Sequence, residues 1–376
     1  MGHPERDLPH IVQVVGTNGK GTTAVALATA LTEMGYPCGA FLSPHVLSYT
    51  ERVVLRGGQV SEEEFAAAMG ETIDLADKHG IPVSQFEILT AGALKMFADA
   101  GLSWAVLEAG LGARYDATSV ARADAVVLTN VALDHTEYLG ETVEEIAEEK
   151  LANLTQGATL YLGTDDEWLV ELARGKCRRL GSELVEVAGD NRSYPGLAPY
   201  EGRNLDLGLA VAGSLLETEI PVQVRERFLA GVGEVLPGRF DAREVEGVPV
   251  VLDGGHNAAG LSAALEAVGG SFAGRPLGVV FGVLQEKDAA GMLSGFMDRA
   301  DIIVLTRPES ERASEPDLLK REHDPHDRGG RRAMVVPGPL QAIAVAVDAM
   351  REVDGVVLVT GSLSTVAPVL RWLRET

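Results

Sequence analysis

The sequence predicts an α/β protein built from two doubly wound, mostly parallel sheets. Short apolar runs rich in valine and leucine recur along the whole chain, and helical patterns separate them. Near-continuous apolar strands that alternate with helices are typical of parallel sheets covered on both faces. The chain has 376 residues, which is longer than one hydrophobic core usually serves, so two domains are expected.

Each of the two domains is predicted from its own set of strands. The first set consists of residues 10–16, 104–109, 124–131, 158–162 and 182–187. The second set consists of 249–254, 277–283, 301–306, 332–336 and 356–361, with helices expected near 257–267, 288–299, 338–352 and 363–374. A Pro/Gly turn followed by charged residues at 236–248 separates the sets, so we predict domains at 1–240 and 241–376. The polar stretch 308–331 is expected to be an exposed loop.

The charge and cysteine content exclude several classes of protein. The chain has 32 basic and 55 acidic residues, a net charge of −23, which disfavours binding to nucleic acid or to anionic membranes. No apolar run reaches the roughly 18 residues that a membrane span needs, and the N-terminus lacks the apolar core of a signal peptide. Two cysteines cannot form a disulfide framework. The sequence therefore predicts a cytoplasmic protein that binds neither nucleic acid nor membrane.

A glycine-rich turn follows the first predicted strand and leads into a helix. Residues 16–22, which we call the phosphate loop, read GTNGKGT. Glycines let the backbone fold tightly, so that its N–H groups and the helix N-terminus face an anion. Lys20 can reach the β- and γ-phosphates of a nucleotide, and the hydroxyl of Thr22 can bind phosphate or Mg²⁺. The spacing is shorter than the usual P-loop pattern, but the strand before it and the helix after it favour nucleotide binding over a structural turn.

Polar residues also follow two other predicted strands. Glu108 lies at the end of strand 104–109, and Asp134 and His135 follow strand 124–131. Parallel sheets place such strand ends at the ligand crevice. Taken alone, Glu108 could cap a loop. His135 could equally make a loop hydrogen bond, because Mg²⁺ prefers carboxylate oxygens to imidazole.

Lys150 lies in the apolar stripe of a helix predicted at 141–154. Its neighbours three and four residues earlier are Ala147 and Ile146, so neither offers an ion pair within the helix. A lysine in such a position snorkels to solvent, pairs with a distant acid, or has a lowered pKa and becomes reactive. The residues alone leave these alternatives open.

Ten blocks of the sequence together resemble the folylpolyglutamate synthase/dihydrofolate synthase family, the folate branch of the Mur-type amide ligases. The resemblance runs in order over nearly the whole chain. The blocks are GTNGKGT (16–22), LSPHVLSYTERV (42–53), FEILT (86–90), LEAGLGARYDAT (107–118), LDHTEYLG (133–140), EEK (148–150), LPGRF (236–240), LDGGHN (252–257), FGVLQEKD (281–288) and TGSL (360–363).

The resemblance implies an N-terminal P-loop domain, a smaller C-terminal Rossmann-like domain and an ATP-dependent amide ligase activity. In this family a carboxylate of the pterin substrate attacks the γ-phosphate of ATP, which gives an acyl phosphate and ADP. The amino group of L-glutamate then displaces phosphate. The implied ligands are ATP, two Mg²⁺ ions, L-glutamate, and dihydropteroate or a reduced folate, and a monomer is expected.

The resemblance also implies roles for individual residues. Nucleotide binding is expected of Gly16, Thr17, Asn18, Gly19, Lys20, Gly21, Thr22, Asn204, Arg239 and Asp253. Ser43 and Glu108 are expected to bind the first Mg²⁺, and His135 the second. The catalytic residues implied are Lys20, His135, Lys150 and His256, with Lys150 carbamylated so that a buried cation becomes an oxygen ligand or acceptor. Arg52 and Ser362 are expected to bind substrate, although the 252–257 block also fits a helix N-cap.

The chain departs from the family pattern near the expected substrate site. Ala113 and Tyr115 stand where the family usually has glycine and leucine, and only a short segment precedes the first strand. These departures concern the pterin pocket more than the nucleotide chemistry, and they leave open whether one or both acceptors are used. The nearest alternative is a Mur-type ligase acting on a peptidoglycan-like precursor, which the 42–53 block and Gly21 disfavour. A P-loop kinase or a nucleotide sensor is a more remote alternative. A kinase needs neither Lys150 in an apolar stripe nor a second doubly wound domain, and a sensor should bind ATP without glutamate-dependent release of ADP.

Overall fold

The computed structural model describes residues 1–187, 192–323 and 333–375. The chain divides into two compact units. The N-terminal unit consists of Met1–Ala132, Thr136–Ser193 and Tyr200–Leu236. The C-terminal unit consists of Leu133–His135, Tyr194–Pro199 and Pro237–Thr376. The short segment that contains His135 is therefore grouped with the C-terminal unit.

The N-terminal unit contains an eight-stranded sheet with the order β4-β3-β2-β5-β1-β6-β7-β8. Its strands are β1 (His10–Val15), β2 (Cys38–Phe41), β3 (Val53–Leu55), β4 (Gly58–Gln59), β5 (Trp104–Glu108), β6 (Ala125–Leu128), β7 (Thr159–Leu162) and β8 (Glu183–Glu186). Strand β3 pairs antiparallel with both β2 and β4, and the other pairs are parallel. The α-helices that accompany this sheet along the chain are α1 (Lys20–Glu33), α2 (Glu62–His79), α3 (Gln85–Asp99), α4 (Thr136–Leu139), α5 (Val143–Lys150), α6 (Glu167–Leu180), α7 (Pro199–Leu215) and α8 (Val222–Val235).

The C-terminal unit contains a six-stranded sheet with the order β13-β12-β11-β14-β10-β9. Its strands are β9 (Asp241–Val245), β10 (Val248–Leu252), β11 (Leu277–Phe281), β12 (Ile302–Leu305), β13 (Ala333–Val335) and β14 (Val356–Thr360). Strand β9 pairs antiparallel with β10, and the other pairs are parallel. The helices are α9 (Ala258–Ser271), α10 (Ala289–Phe296), α11 (Pro316–His323), α12 (Pro339–Arg351) and α13 (Leu363–Glu375).

The predicted fold class is confirmed, since both sheets are mostly parallel and helices alternate with their strands. All ten predicted strands form, as β1, β5 to β8 and β10 to β14. The sequence analysis missed β2, β3, β4 and β9. Of these, β2 reads CGAF and has no β-branched residue to mark it.

Two local predictions need correction. The stretch 308–331 contains helix α11, which begins at a proline and buries Leu319, so it is not loop throughout. Residues 324–331 of that stretch, and residue 332 of the strand expected at 332–336, lie outside the described residues. The helix predicted at 141–154 ends earlier, at Lys150, because the chain continues in tighter turns such as Ala152 N–H to Glu149 C=O at 3.1 Å.

Local sequence signals explain where several helices begin. Helices α2, α3 and α5 each start with a capping box, in which a hydroxyl accepts the backbone N–H three residues later and a glutamate reaches back to the cap. The pairs are Ser61 with Glu64, Ser84 with Glu87, and Thr142 with Glu145. The capping box of α5 fixes the start of the helix whose last residue is Lys150.

The order of the N-terminal sheet determines which loops become neighbours. Strand β1 lies between β5 and β6 and is parallel to both. The carboxyl ends of parallel strands meet at the same edge of a sheet. The carboxyl ends of β1, β5 and β6 are therefore brought together, and with them the phosphate loop after β1, Glu108 at the end of β5 and the residues after Leu128. Among the described residues, no helix is both long and apolar enough to cross a membrane.

Helix α7 packs closely on α1, and Gly208 makes this possible. A Cβ at position 208 would lie 2.7 Å from the Ala26 Cβ and from the Thr23 carbonyl oxygen.

We expect Gly208→Ala to lower the free energy of unfolding by about 1–3 kcal/mol through overpacking. Gly231→Ala in α8 is the matched control, because nothing lies within 4 Å of its added Cβ. The control substitution should raise the free energy of unfolding by about 0.5–1 kcal/mol. Urea unfolding measures the stability of both variants. If Gly208→Ala and Gly231→Ala change the free energy of unfolding equally, the packing argument is wrong.

Candidate active site

The phosphate loop connects β1 to α1. Two of its positions have backbone conformations that favour glycine. Gly16 has φ 147° and Gly19 has φ 83°, values that residues with side chains rarely adopt. A Cβ on Gly16 would collide with the hydroxyl of Thr129, and one on Gly19 would collide with the amide of Asn204. Helix α1 begins directly after Gly19, so the first N–H groups of the helix face the loop and favour an anion there.

Thr129 and Asn130, which follow β6, hold the phosphate loop in place. The backbone N–H of Thr17 donates to the Asn130 carbonyl oxygen at 2.9 Å, and that of Asn18 donates to Asn130 Oδ1 at 3.0 Å. In return, Asn130 Nδ2 and Thr129 Oγ1 donate to the Asn18 carbonyl oxygen at 2.9 and 2.7 Å. The sequence analysis missed this pair of residues. The signal that could have found it is a Thr-Asn pair directly after an apolar strand.

Two lysines donate to carbonyl oxygens of the phosphate loop. Lys20 Nζ lies 3.2 Å from the Gly16 oxygen and 3.1 Å from the Thr17 oxygen. Lys150 is only 5% exposed, and its Nζ donates to the same Gly16 oxygen at 2.8 Å. Lys150 therefore faces inward, as its position in the apolar stripe indicates, and it points to the first residue of the loop.

Glu108, the last residue of β5, lies beside the start of α1. Its carboxylate is buried, with the residue 4% exposed, and Oε2 accepts the backbone N–H of Ser43 at 2.8 Å. A Cβ on Gly21 would lie 3.4 Å from the same oxygen. Glu108 thus places a carboxylate oxygen next to the phosphate loop, and the backbone of Ser43, a residue with a hydroxyl oxygen, is hydrogen-bonded to it. Mg²⁺ usually binds one or two carboxylates together with phosphate oxygens and water, so this pair fits it. Within the described ranges, no group of three or more His, Cys, Asp or Glu side chains is arranged to hold a metal by itself.

The segment from Ser43 to Arg52 is folded around a buried carboxylate. Glu51 accepts three backbone N–H groups at 2.6–2.9 Å, those of Val46, Leu47 and Ser48. The buried Arg52 donates from Nε to His45 Nδ1 at 2.9 Å, and the His45 ring packs on Tyr49 with centroids 4.1 Å apart. Burial and the charge of Arg52 lower the pKa of His45, and burial lowers the pKa of Arg52. The guanidinium predicted to bind substrate is therefore held in one place by a neutral histidine.

In the C-terminal unit, the 252–257 block forms a turn that leads into α9. Asp253 accepts the Phe240 N–H at 3.0 Å and the Gly255 N–H at 2.8 Å. His256 Nδ1 lies 3.1 Å from the Gly254 carbonyl oxygen, and Asn257 is the N-cap of α9, accepting the Gly260 N–H at 2.8 Å. The helix N-cap alternative is thus correct for Asn257. Ser362 plays a similar part before α13, where its Oγ accepts the Ser364 N–H at 3.1 Å.

Asp134 is the centre of a polar cluster in the C-terminal unit. Its Oδ1 accepts from Lys287 Nζ at 2.6 Å, its Oδ2 accepts from Asn257 Nδ2 at 3.0 Å, and His256 Nε2 lies 3.6 Å from Oδ2. Lys287 Nζ also lies 3.1 Å from His135 Nε2. Burial opposes ionisation, but the hydrogen bond from His256 and the charge of Lys287 hold the pKa of Asp134 well below its usual range. The sequence analysis gave Lys287 no role, although a lone lysine after a buried strand is a usable signal.

The predicted site residues divide between the two units. Those in the N-terminal unit are Gly16, Thr17, Asn18, Gly19, Lys20, Gly21, Thr22, Ser43, Arg52, Glu108, Lys150 and Asn204. Those in the C-terminal unit are His135, Arg239, Asp253, His256 and Ser362. The N-terminal unit brings the phosphate loop together with Lys150, Glu108 and Asn204, whereas His135 lies in the cluster around Asp134.

Comparison with known proteins assigns the chain to a family. Residues 14–193 match the Mur ligase middle domain, and residues 238–363 match the glutamate ligase domain of Mur ligases. A dihydrofolate synthase/folylpolyglutamate synthase of Escherichia coli K12 is 31% identical over 96% of this chain and 86% of its own length. The chain belongs to the folylpolyglutamate synthase/dihydrofolate synthase family. The resemblance noted in the sequence is thereby confirmed.

Two further relatives define the extent of the similarity. A solved structure of the Mycobacterium tuberculosis folylpolyglutamate synthase complexed with ADP superposes with a TM-score of 0.88 at 27% identity, over 100% of this chain and 92% of that one. A probable bifunctional folylpolyglutamate synthase/dihydropteroate synthase of Halobacterium salinarum is 33% identical over 100% of this chain. The chain spans 48% of the length of that longer relative.

The buried pair of Lys287 and Asp134 generates a stability prediction. Their side chains are 7% and 8% exposed, so removing Lys287 leaves the buried Asp134 carboxylate with its contacts to Asn257 and His256 but without the lysine charge. We expect Lys287→Met to lower the free energy of unfolding by about 3–5 kcal/mol. The double variant Lys287→Met/Asp134→Asn should recover most of this loss. Lys95→Met, which breaks the exposed pair with Asp99, is the control and should be nearly neutral.

Urea unfolding of the full chain measures all three variants of this set. If Lys287→Met unfolds at the wild-type urea concentration, the pair contributes nothing and the prediction is wrong. If the double variant is no more stable than the single one, the loss comes from packing of the lysine chain rather than from the orphaned carboxylate.

Proposed function

We propose that this chain joins L-glutamate to a pterin carboxylate at the expense of ATP. The observation that carries the proposal is the phosphate loop of a folylpolyglutamate synthase/dihydrofolate synthase family member, with Lys20 on the loop and the Glu108–Ser43 pair beside it. The acceptors we propose are dihydropteroate, tetrahydrofolate or both. The monomeric state and cytoplasmic location expected from the sequence stay predictions.

The chemistry has two steps that each bring negative charges together. In the first step, a carboxylate oxygen of the pterin attacks the γ-phosphorus of ATP, and the bond to the bridging oxygen breaks to release ADP. In the second step, the neutral amino nitrogen of glutamate attacks the acyl carbon, a C–N bond forms, the bond from the acyl carbon to the phosphate oxygen breaks to release phosphate, and the nitrogen loses one proton and keeps the other as the amide N–H. Catalysis of such phosphoryl transfer depends mainly on positioning and on fixed positive charge.

The phosphate loop and Lys20 are the groups we assign to that fixed charge. The loop N–H groups and the N-terminus of α1 would bind phosphate oxygens, and Lys20 would exchange its contacts with the Gly16 and Thr17 oxygens for contacts with phosphate. Asn204 lies against Gly19, which supports a place for its amide beside the bound nucleotide. The nucleotide contacts expected of Arg239 and Asp253 stay predictions.

Ser43 and Glu108 are the residues we propose to hold Mg²⁺, since their donor set is oxygen and one carboxylate is buried beside Gly21. When bound, the metal would neutralise phosphate charge during transfer. The second site expected at His135 stays a prediction, as do the roles of Arg52, His256 and Ser362 toward the pterin and glutamate.

Lys150 is proposed to carry a carbamate. In that reaction the neutral amine attacks the carbon of CO₂, a C–N bond forms, and the nitrogen loses a proton. Burial favours the neutral amine that the reaction requires, and Lys150 is 5% exposed. The carbamate would exchange a donor for two acceptor oxygens beside the Gly16 end of the phosphate loop, where Lys150 Nζ now donates at 2.8 Å.

The central experiment measures ADP release by the full chain with Mg-ATP and L-glutamate, with each acceptor supplied separately. Products are weighed by mass spectrometry. A mass gain of one glutamyl unit on both acceptors supports a bifunctional ligase, and a gain on tetrahydrofolate alone supports chain extension only. If neither acceptor gains mass while a peptidoglycan-like carboxylate does, the folate proposal is wrong and the Mur-type alternative replaces it.

Replacing Lys150 tests the carbamate. We expect Lys150→Ala to abolish glutamyl transfer, because the position loses its acceptor oxygens, and added short-chain carboxylates should restore part of the rate. Lys95→Ala, at a half-buried lysine on α3 that pairs with Asp99, is the control and should retain full activity. Full activity of Lys150→Ala would contradict the proposal, and so would a wild-type intact mass that never includes an added CO₂ in bicarbonate buffer.

A further inference from the structure

We propose that a chain of buried hydrogen bonds, running from Asn153 through Gln13 and Thr118 to Asp116, positions Glu108 for metal binding. We call this chain the Gln13 network. The inference rests on the proposed function in one respect, which is that it takes Glu108 as the metal ligand. Gln13 and Thr118 are then positioning residues of the site.

Gln13 is the anomaly that points to the network. It lies in β1 among apolar residues and is 1% exposed. A buried amide costs free energy unless it is hydrogen-bonded. Gln13 Nε2 donates to Thr118 Oγ1 at 2.7 Å, and its Oε1 accepts from Asn153 Nδ2 at 3.0 Å. Both ends of the amide are therefore used, and each contacts a different segment of the N-terminal unit.

The bonds continue from Thr118 to a buried carboxylate. Thr118 is 0% exposed, and its Oγ1 donates to Asp116 Oδ1 at 2.5 Å. The other oxygen, Oδ2, accepts the backbone N–H groups of Gly110 and Leu111, both at 2.9 Å. The side-chain donors from Asn153 through Gln13 to Thr118 all point toward Asp116 and the last acceptor is a carboxylate oxygen, so successive bonds strengthen one another.

The two ends of the network lie next to proposed site residues. Asn153 follows Lys150 by three residues, and Lys150 donates to the Gly16 oxygen of the phosphate loop. Gly110 follows Glu108 by two residues, and Gln13 is in register with Leu107 of the neighbouring strand. Asp116 thus fixes the backbone at Gly110 and Leu111, just after Glu108. At the other end, Asn153 connects the Gln13 network to the segment after α5.

Stability alone does not account for the network. Replacing both partners of a buried hydrogen bond by apolar groups of the same shape is nearly neutral, so an apolar core would serve the sheet as well. A satisfied polar network instead specifies one arrangement of the segments that it joins. The segments joined here are those that carry Glu108 and Lys150.

Thr118→Val is the test variant, because it removes the hydroxyl and keeps the shape. Isothermal titration with a non-hydrolysable ATP analogue, in Mg²⁺ and in EDTA, gives the factor by which Mg²⁺ raises the affinity. We expect Thr118→Val to reduce this factor by about tenfold, as for other residues that orient metal ligands, and to leave the EDTA affinity unchanged. Thr118→Ser should restore it.

Thr72→Val is the matched control. Thr72 is also buried, and its hydroxyl donates to the Ala68 carbonyl oxygen at 2.8 Å within α2. The control loses a comparable bond and should keep the wild-type Mg²⁺ factor. Asn153→Ala removes the other end of the network at a half-buried position, so it tests the same idea if Thr118→Val fails to fold.

The inference is wrong if Thr118→Val and Asn153→Ala keep the wild-type Mg²⁺ factor, or if affinity falls equally in Mg²⁺ and EDTA. Failure of the proposed function gives a different result. In that case the wild type binds the nucleotide with a Mg²⁺ factor that Thr118→Val reduces, yet transfers no glutamate to either acceptor. Glutamyl transfer by the wild type together with an unchanged factor in both variants overturns the inference alone.

Discussion

The parallel pairing of β1 with both β5 and β6 is the constraint on which the N-terminal half of the candidate site depends. Val14 is in register with Glu108, and Val15 is in register with Leu128. The chain therefore leaves all three strands at nearly the same level. The phosphate loop starts there, beside the carboxylate that ends β5 and the Thr129–Asn130 pair that follows β6. A change of register in either pairing would separate the loop from the groups that hold it.

For an anion to bind at the phosphate loop, the positive charge near the loop must outweigh the repulsion from the net negative charge of the whole chain. A net charge of −23 repels a nucleotide at long range, although salt screens exposed charges beyond about 10 Å. Lys20 and the N-terminus of α1 lie at the phosphate loop, so their positive charge acts at a much shorter distance than the net charge of the chain. Lys20 and the backbone dipoles of the loop and helix are therefore the groups that would favour an anion at this position.

In the C-terminal unit, polar side chains at or next to predicted site residues stabilise turns and helix starts. Asp253, Asn257 and Ser362 each satisfy backbone N–H groups at the start of a loop or helix. Asn257 uses its other amide atom to hold Asp134, which also takes the charge of Lys287. Because a buried carboxylate must be paired, this cluster fixes the arrangement of side chains around His135.

The sequence by itself determined the fold class, ten strands, the phosphate loop and the inward face of Lys150, because hydrophobic periodicity and glycine placement are local properties of the chain. The partners of buried polar groups were decided only by the tertiary structure. Lys150 and Gly16 are 134 residues apart, Lys287 and Asp134 are 153 apart, and Gln13 and Thr118 are 105 apart. Periodicity says which face of an element is buried, but strand order and register decide which distant side chain it meets there.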